Sequence, residues 1–165
     1  MNDLNLQSIN ATAPYIVGKV REGVFFFRTE SDVLYSILFK PDMEIADSQT
    51  YQFVIDRLSG TKQGHGERVR DTIIAIIYDF FTQNNDILLY ICDTDDGREA
   101  MRNRLFISWF TKTADSTRFT IKTANCQVED QTFYTAIILQ NTHPHYEAVT
   151  AEFDTLAEMY ANKQQ

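Results

Sequence analysis

Cysteine, proline and glycine are scarce in this chain, and their scarcity limits what kind of protein it is. The 165 residues include 2 cysteines, 3 prolines and 6 glycines. Cys92 and Cys126 lie far apart and match no paired metal or redox spacing, so no disulfide framework is expected. There are no internal repeats and no low-complexity tracts. A chain of this length buries enough surface to fold without a covalent or metal staple.

Long apolar runs and excess basic charge are also lacking. The strongest candidate for membrane insertion, residues 73–78, is far shorter than the ~20 residues that span a bilayer. Acidic residues outnumber basic ones 23 to 15, and the net charge of -8 opposes non-specific binding to nucleic acid or anionic membranes. Residues 1–13 have neither the basic start nor the apolar core of a signal peptide. These features predict a cytoplasmic protein without membrane contact and argue against nucleic-acid binding.

Apolar and aromatic residues are plentiful. They make up 44% of the chain, with 12 Phe and 8 Tyr, which indicates a folded protein rather than a disordered one. The polar residues 1–13 are predicted to be a flexible N-terminal segment, and residues 14–165 to be a single α+β domain.

The stretch over residues 86–110 organises the prediction of the fold. Ile87 to Cys92 is an apolar run without alternation, which is typical of a strand covered on both faces. An acidic turn, residues 93–97, follows the strand. Apolar residues at helical spacing then predict an amphipathic helix up to Phe110.

The rest of the chain supplies further strands and two more helices. Residues 23–27 and 33–39 predict a hairpin. The other predicted strands are residues 51–55, 119–123 and 131–139, with an additional strand at 15–20, and the other helices cover residues 68–81 and the segment from Thr142 onward. The order β-β-β-α-β-α-β-β-α predicts an α+β fold with one mainly antiparallel sheet of about six strands and three helices.

Several predicted strands are apolar on both faces, yet only these helices are available to cover them. Either the helices lie on both faces of the sheet, or a second copy of the chain covers one face. Because large exposed apolar patches are uncommon on soluble monomers, the second alternative predicts a homodimer.

Three groups of residues resemble a known family. They are Asp71-Thr72-Ile73 with Phe80-Phe81, Tyr90-Ile91-Cys92-Asp93 with Asp96 and Arg98, and Arg102-Asn103-Arg104-Leu105-Phe106 with Trp109-Phe110. In these residues the chain resembles a family of short proteins from Bacteroidetes genomes that is known only as a domain of unknown function. The resemblance implies a small bacterial protein, and it implies no activity, substrate or cofactor.

The acidic turn is the first candidate site. Asp93, Asp95 and Asp96 offer the carboxylate oxygens that Mg²⁺ prefers, so they form a candidate metal site. The alternative is that these carboxylates only cap the helix that follows.

Arginines and a glycine-rich segment form the second candidate. Arg98, Arg102 and Arg104 could clamp a phosphate or carboxylate group, or could pair with the acidic turn. His65 and Arg68 lie where a glycine-rich connector meets a helix start, a place where backbone N–H groups attract anions. The alternative for this segment is a mobile surface connector.

The pair His143-x-His145 could bind a transition metal, but no third ligand lies nearby in sequence. Two exposed histidines at a helix start are the competing interpretation. No nucleophile, base and orienting group can be recognised together.

We therefore expect a non-enzymatic domain that acts by protein–protein contact or self-association, and we expect no cofactor. The alternative is a Mg²⁺-dependent phosphoryl-transfer or phosphate-binding protein that uses the Asp93–Asp96 turn and the nearby arginines. Neither pattern decides whether the chain is an enzyme. A third hypothesis, specific nucleic-acid binding through residues 57–70, requires steep salt dependence.

Overall fold

The protein is an α+β structure with one seven-stranded, mostly antiparallel sheet. The computed structural model describes residues 1–60, 66–92, 107–112, 115–128 and 131–162. In chain order the elements are α1 (Leu6–Thr12), β1 (Val17–Arg21), β2 (Val24–Arg28), β3 (Leu34–Ile45), β4 (Ser48–Ser59), α2 (Glu67–Gln83), β5 (Ile87–Cys92), α3 (described over residues 107–112), β6 (Phe119–Val128), β7 (Gln131–Gln140) and α4 (Tyr146–Asn162). The predicted fold class is confirmed.

The strands lie in the order β1-β2-β3-β4-β5-β7-β6. β4 and β5 pair in parallel, and the pairs β1–β2, β2–β3, β5–β7 and β6–β7 are antiparallel.

The chain forms two compact units: unit 1 is Met1–Lys40 with Phe53–Asn85, and unit 2 is Pro41–Gln52 with Asp86–Gln165. None of the described helices is long and apolar enough to cross a membrane.

In unit 1, alternate residues of the strands form a buried aromatic face against α2. We call it the inner face. It includes Phe25, Phe27 and Phe39, each no more than 3% exposed. The ring of Phe39 stacks on that of Phe80 from α2, with centroids 5.0 Å apart. Because side chains alternate along a strand, the buried residues of β2, and those of β3 up to Phe39, lie on the inner face.

The N-terminal segment of unit 1 is folded against α2. Leu6–Thr12 forms the short helix α1, which Asn5 caps by accepting a hydrogen bond from the Ser8 N–H at 3.1 Å. Ile9 is 1% exposed. The Asn5 N–H donates to the buried carboxylate of Asp79 in α2 at 2.7 Å. The sequence predicts a flexible segment over residues 1–13 because its apolar residues are too few to show a period.

In unit 2, β5 is buried on both faces, as the unbroken apolar run predicts. Ile87 and Leu88, which point to opposite faces, are both 0% exposed. On one face Ile87 packs in a cluster with β7 and α4 side chains that includes Val149 and Phe153. On the other face Leu88 pairs with Ile138 of β7. In unit 2, therefore, strand side chains are buried on both faces.

A substitution in β5 tests this burial. We expect Leu88→Ala to lower the free energy of unfolding by about 2–5 kcal/mol, because it removes a fully buried side chain and leaves a cavity. Urea denaturation monitored by circular dichroism measures the change. The control is Leu58→Ala, since Leu58 is 61% exposed and its loss should stay within about 0.5 kcal/mol. Equal losses in the two variants would contradict the central position of β5.

Candidate interaction surface

Most of the residues predicted from the sequence to bind a metal ion or an anion lie outside the described part of the chain. These are His65, Asp93, Asp95, Asp96, Arg98, Arg102 and Arg104. The metal and anion sites inferred from them stay predictions. The acidic turn does follow the carboxyl end of a buried central strand, since β5 ends at Cys92.

Arg68, the remaining nominated residue, is engaged by groups of unit 1. Its guanidinium donates to the carboxylate of Glu30 at 2.9 Å and to the backbone oxygen of Pro14 at 3.1 Å. The same group lies 4.5 Å from the centre of the Tyr15 ring, within the range of a cation–π contact. An anion bound by Arg68 would therefore compete with internal partners.

The protonation states of Tyr15, Glu30 and Arg68 are consistent with a structural role for these residues. The Tyr15 hydroxyl donates to the Glu30 carboxylate. This hydrogen bond, with the nearby Arg68 charge, holds the pKa of Glu30 below its usual value. Burial and the Glu30 carboxylate raise the pKa of Tyr15, so its hydroxyl stays protonated at neutral pH. The cluster joins the β2–β3 loop to the start of α2.

The two histidines before α4 occupy different environments. His145 is exposed, whereas His143 is 7% exposed, so the expectation of two exposed histidines is wrong for His143. The His145 backbone N–H donates to Nδ1 of His143 at 3.1 Å. Neutral His143 therefore carries its proton on Nε2. The ring is buried because distant parts of the chain pack around it. The local sequence around His143 carries no information on that packing.

Ser48 connects this histidine pair to the β3–β4 turn. Its Oγ is hydrogen-bonded to Nδ1 of His145 at 3.1 Å, and Ser48 is 7% exposed. The turn residues Ala46 and Asp47 have φ of 47° and 57°, the left-handed conformation of a two-residue hairpin turn. The Ala46 N–H donates to Glu152 of α4 at 3.0 Å. Ser48 thus joins the β3–β4 turn to the residue that precedes α4.

The described ranges hold no group of three His, Cys, Asp or Glu side chains arranged to bind a metal ion. Their most distinctive feature is instead an apolar surface in unit 1. We call it the outer face: the side of β1, β2 and β3 opposite the inner face. It consists of Val20, Val24, Phe26, Leu34, Ser36 and Leu38. Val20 is 66% exposed and Phe26 38%.

The strand register makes the outer face continuous. Phe26 is paired with Gly18 of β1 on one side and with Ser36 of β3 on the other, and Val24 is paired with Leu38. The Phe26 ring lies across Gly18, where an added Cβ would be 2.5 Å from ring carbons. Glycine is therefore required for the ring to lie flat on the edge strand. The apolar pattern on both faces of β2 is the sequence signal that predicts an apolar face beyond the one covered by α2.

These features define a small α+β domain with a mostly antiparallel sheet and an exposed apolar face. The chain belongs to the family of unknown function DUF6169, whose model matches residues 65–155, more than half of the chain. The resemblance to an uncharacterised family is thus confirmed, and a Bacteroidetes origin stays a prediction. No curated protein and no solved structure matches the chain.

A carboxyl near the histidine pair gives a pH-dependent prediction. Burial raises the pKa of Asp86 above its ordinary value of 3.8. Between the ordinary and the raised pKa the folded protein binds more protons than the unfolded chain, so stability falls as pH rises through that window. Asp86→Asn should therefore raise Tm at pH 7, by about 1–2 °C after allowance for solvent screening.

The gain from Asp86→Asn should vanish below the ordinary carboxyl pKa, where the wild-type side chain is protonated in both states. Differential scanning fluorimetry across pH measures it. The control is Asp115→Asn, because hydrogen bonds from Thr117 lower the pKa of Asp115 and the sign should reverse. A drop in Tm at pH 7 for Asp86→Asn would show that the charged carboxylate is favoured in the fold.

Proposed function

We propose that this chain is a non-enzymatic domain that acts by protein–protein contact, and that it self-associates into a homodimer through the outer face. The observation that carries the proposal is the exposure of Phe26 and Val20 on three hydrogen-bonded strands, 38% and 66% respectively. Exposure of a Phe side chain to water is energetically unfavourable, unlike that of Lys or Glu, and Phe is enriched at protein interfaces.

A second copy suits this face because the face carries few charges. Arg28, at its border, is paired with Asp32 at 2.6 Å. Two copies with a net charge of -8 each repel one another at long range. Contact through an uncharged face brings no like charges directly together, and burial of apolar area supplies the favourable free energy.

Introducing a charge into the outer face tests the proposal. We expect the wild-type chain to show twice its mass of 19.1 kDa in light scattering at micromolar concentration. Phe26→Asp should restore the single-chain mass, since a carboxylate buried at a dimer interface is strongly disfavoured. Met159→Asp is the matched control, because Met159 is 55% exposed on α4, outside the outer face. A wild-type protein that stays monomeric throughout would overturn the proposal.

The alternative function remains a proposal that rests on sequence and on the position of β5. We propose as second candidate a Mg²⁺-dependent phosphoryl-transfer or phosphate-binding activity at the Asp93–Asp96 turn. What supports it is that this turn follows the carboxyl end of a central strand that pairs in parallel with β4, a position where ligands often bind in α/β sheets. A cytoplasmic location is likewise proposed, on the basis of the two widely separated cysteines.

The metal hypothesis has its own test. If the turn binds Mg²⁺, the ion should raise Tm of the wild-type chain, because a ligand that binds only the folded state stabilises it. The double variant Asp93→Asn with Asp95→Asn should lose that rise. Replacing Asp71 by Asn, in α2, serves as the control for a general loss of charge. A Tm that does not respond to millimolar Mg²⁺ or Mn²⁺ would eliminate this candidate.

A further inference from the structure

A side chain from α1 covers the edge of β1 at Val17. The backbone N–H of Val17 donates to Oδ1 of Asn10 at 2.8 Å, and Nδ2 of Asn10 donates to the backbone oxygen of Val17 at 3.0 Å. A side-chain amide has the same donor and acceptor as a peptide group. Asn10 therefore satisfies Val17 in the way that a residue of a neighbouring antiparallel strand would.

The position of β1 gives this contact its importance. β1 is the first strand of the sheet order, so among the described residues no strand lies along its other side. Because Asn10 occupies both backbone groups of Val17, these groups face away from β2. An uncovered strand edge is a ready template for another strand. Ile16, 75% exposed, and Val20, 66% exposed, would add apolar contacts to such a pairing.

We propose that the outward edge of β1 is a strand-pairing surface for the β1 strand of a second copy, and that Asn10 keeps it closed in the folded chain. A second β1 fits because antiparallel pairing centred on Gly18 places Val17 opposite Lys19, so that no like charges face each other. The same register places Ile16 opposite Val20. Glycine at the centre lets the two backbones approach without a side-chain clash.

The cover depends on few contacts. α1 has 7 residues, too few for a helix that is stable by itself in water. Its position therefore depends on the burial of Ile9, the Asn5 cap and the Asn10 bonds. At the other end of β1, a register shift between Lys19 and Arg21 interrupts the ladder with β2. Regular pairing with a second strand would therefore end at this shift, and the part of the edge before it is the part that Asn10 covers.

This surface shares Val20 with the outer face but uses the backbone edge of β1, and the inference does not rest on the proposed function. Edge pairing adds strands within the plane of the sheet, whereas the outer face is a side of the sheet. The closed edge would confine self-association to the outer face.

Removing the Asn10 amide tests the inference. In Asn10→Ala, we expect the Val17 amide to exchange with solvent about tenfold faster or more in dilute protein, because its hydrogen bond is lost. At higher concentration we expect association beyond that of the wild type, measured by sedimentation velocity, with the Val17 amide protected again. Adding Lys19→Pro should reverse the association, since proline removes an outward N–H from the same edge.

Two controls separate edge exposure from a general loosening of α1. Asn5→Ala removes the cap of α1 but leaves the Asn10 side chain, so it should lower Tm without new association. Asn10→Asp retains the acceptor for the Val17 N–H and loses the donor, and it decides the question if Asn10→Ala does not fold. Folded Asn10→Ala without added association or with unchanged Val17 exchange overturns the inference, and so does folded Asn10→Asp without added association. In a Phe26→Asp background the edge association should persist, which distinguishes it from failure of the outer-face dimer.

Discussion

The structure depends on the requirement that β5 be covered on both faces. Its side chains are apolar without alternation, so neither face can be left in water. In unit 2 one face is covered by α4, whose Val149 and Phe153 pack with Ile87 and Leu89, and on the other face Leu88 is 0% exposed. A strand with these properties has to lie inside the sheet. The acidic turn and the helix after it are therefore attached to the carboxyl end of a central strand.

Polar side chains in the described residues mainly fasten elements to one another. Arg68 joins the start of α2 to Glu30 and Pro14, and Ser48 joins the β3–β4 turn to His145. Binding sites are built from the same residue types. The presence of these residues in a sequence therefore does not show whether they bind a ligand or hold two elements together. The distinction comes from whether their donors and acceptors already have partners within the protein.

Unit 1 combines an exposed apolar face with a protected strand edge. Association through one apolar face leads to a closed pair when it is symmetric, whereas an uncovered strand edge is a template for strands of any partner. Exposed Phe26 together with Asn10 on the edge thus fits a domain that makes a limited contact. Membership of a family of unknown function is consistent with this role and with the metal hypothesis alike.

The sequence by itself determined those helices and strands in which apolar residues recur with a regular spacing. The two-face burial of β5, the helix over α2 and the hairpin of β2 and β3 all follow from which residues are apolar and how they are spaced, because burial and local conformation share the same period. It also indicated that the apolar strands exceed the helices available to cover them, which is what the outer face of unit 1 shows.

Only the tertiary structure decided which polar groups meet. Helix α1 was missed because its burial rests on Ile9 and on contacts such as that of Asn5 with Asp79, 74 residues away. The burial of His143 and the bond between Ser48 and His145, 97 residues apart, depend on the folding of α4 against the β3–β4 turn. The spacing of apolar residues in a segment indicates which of its side chains are buried. It does not indicate which distant donor or acceptor bonds to a given polar group, because that partner is determined only when the segments pack together.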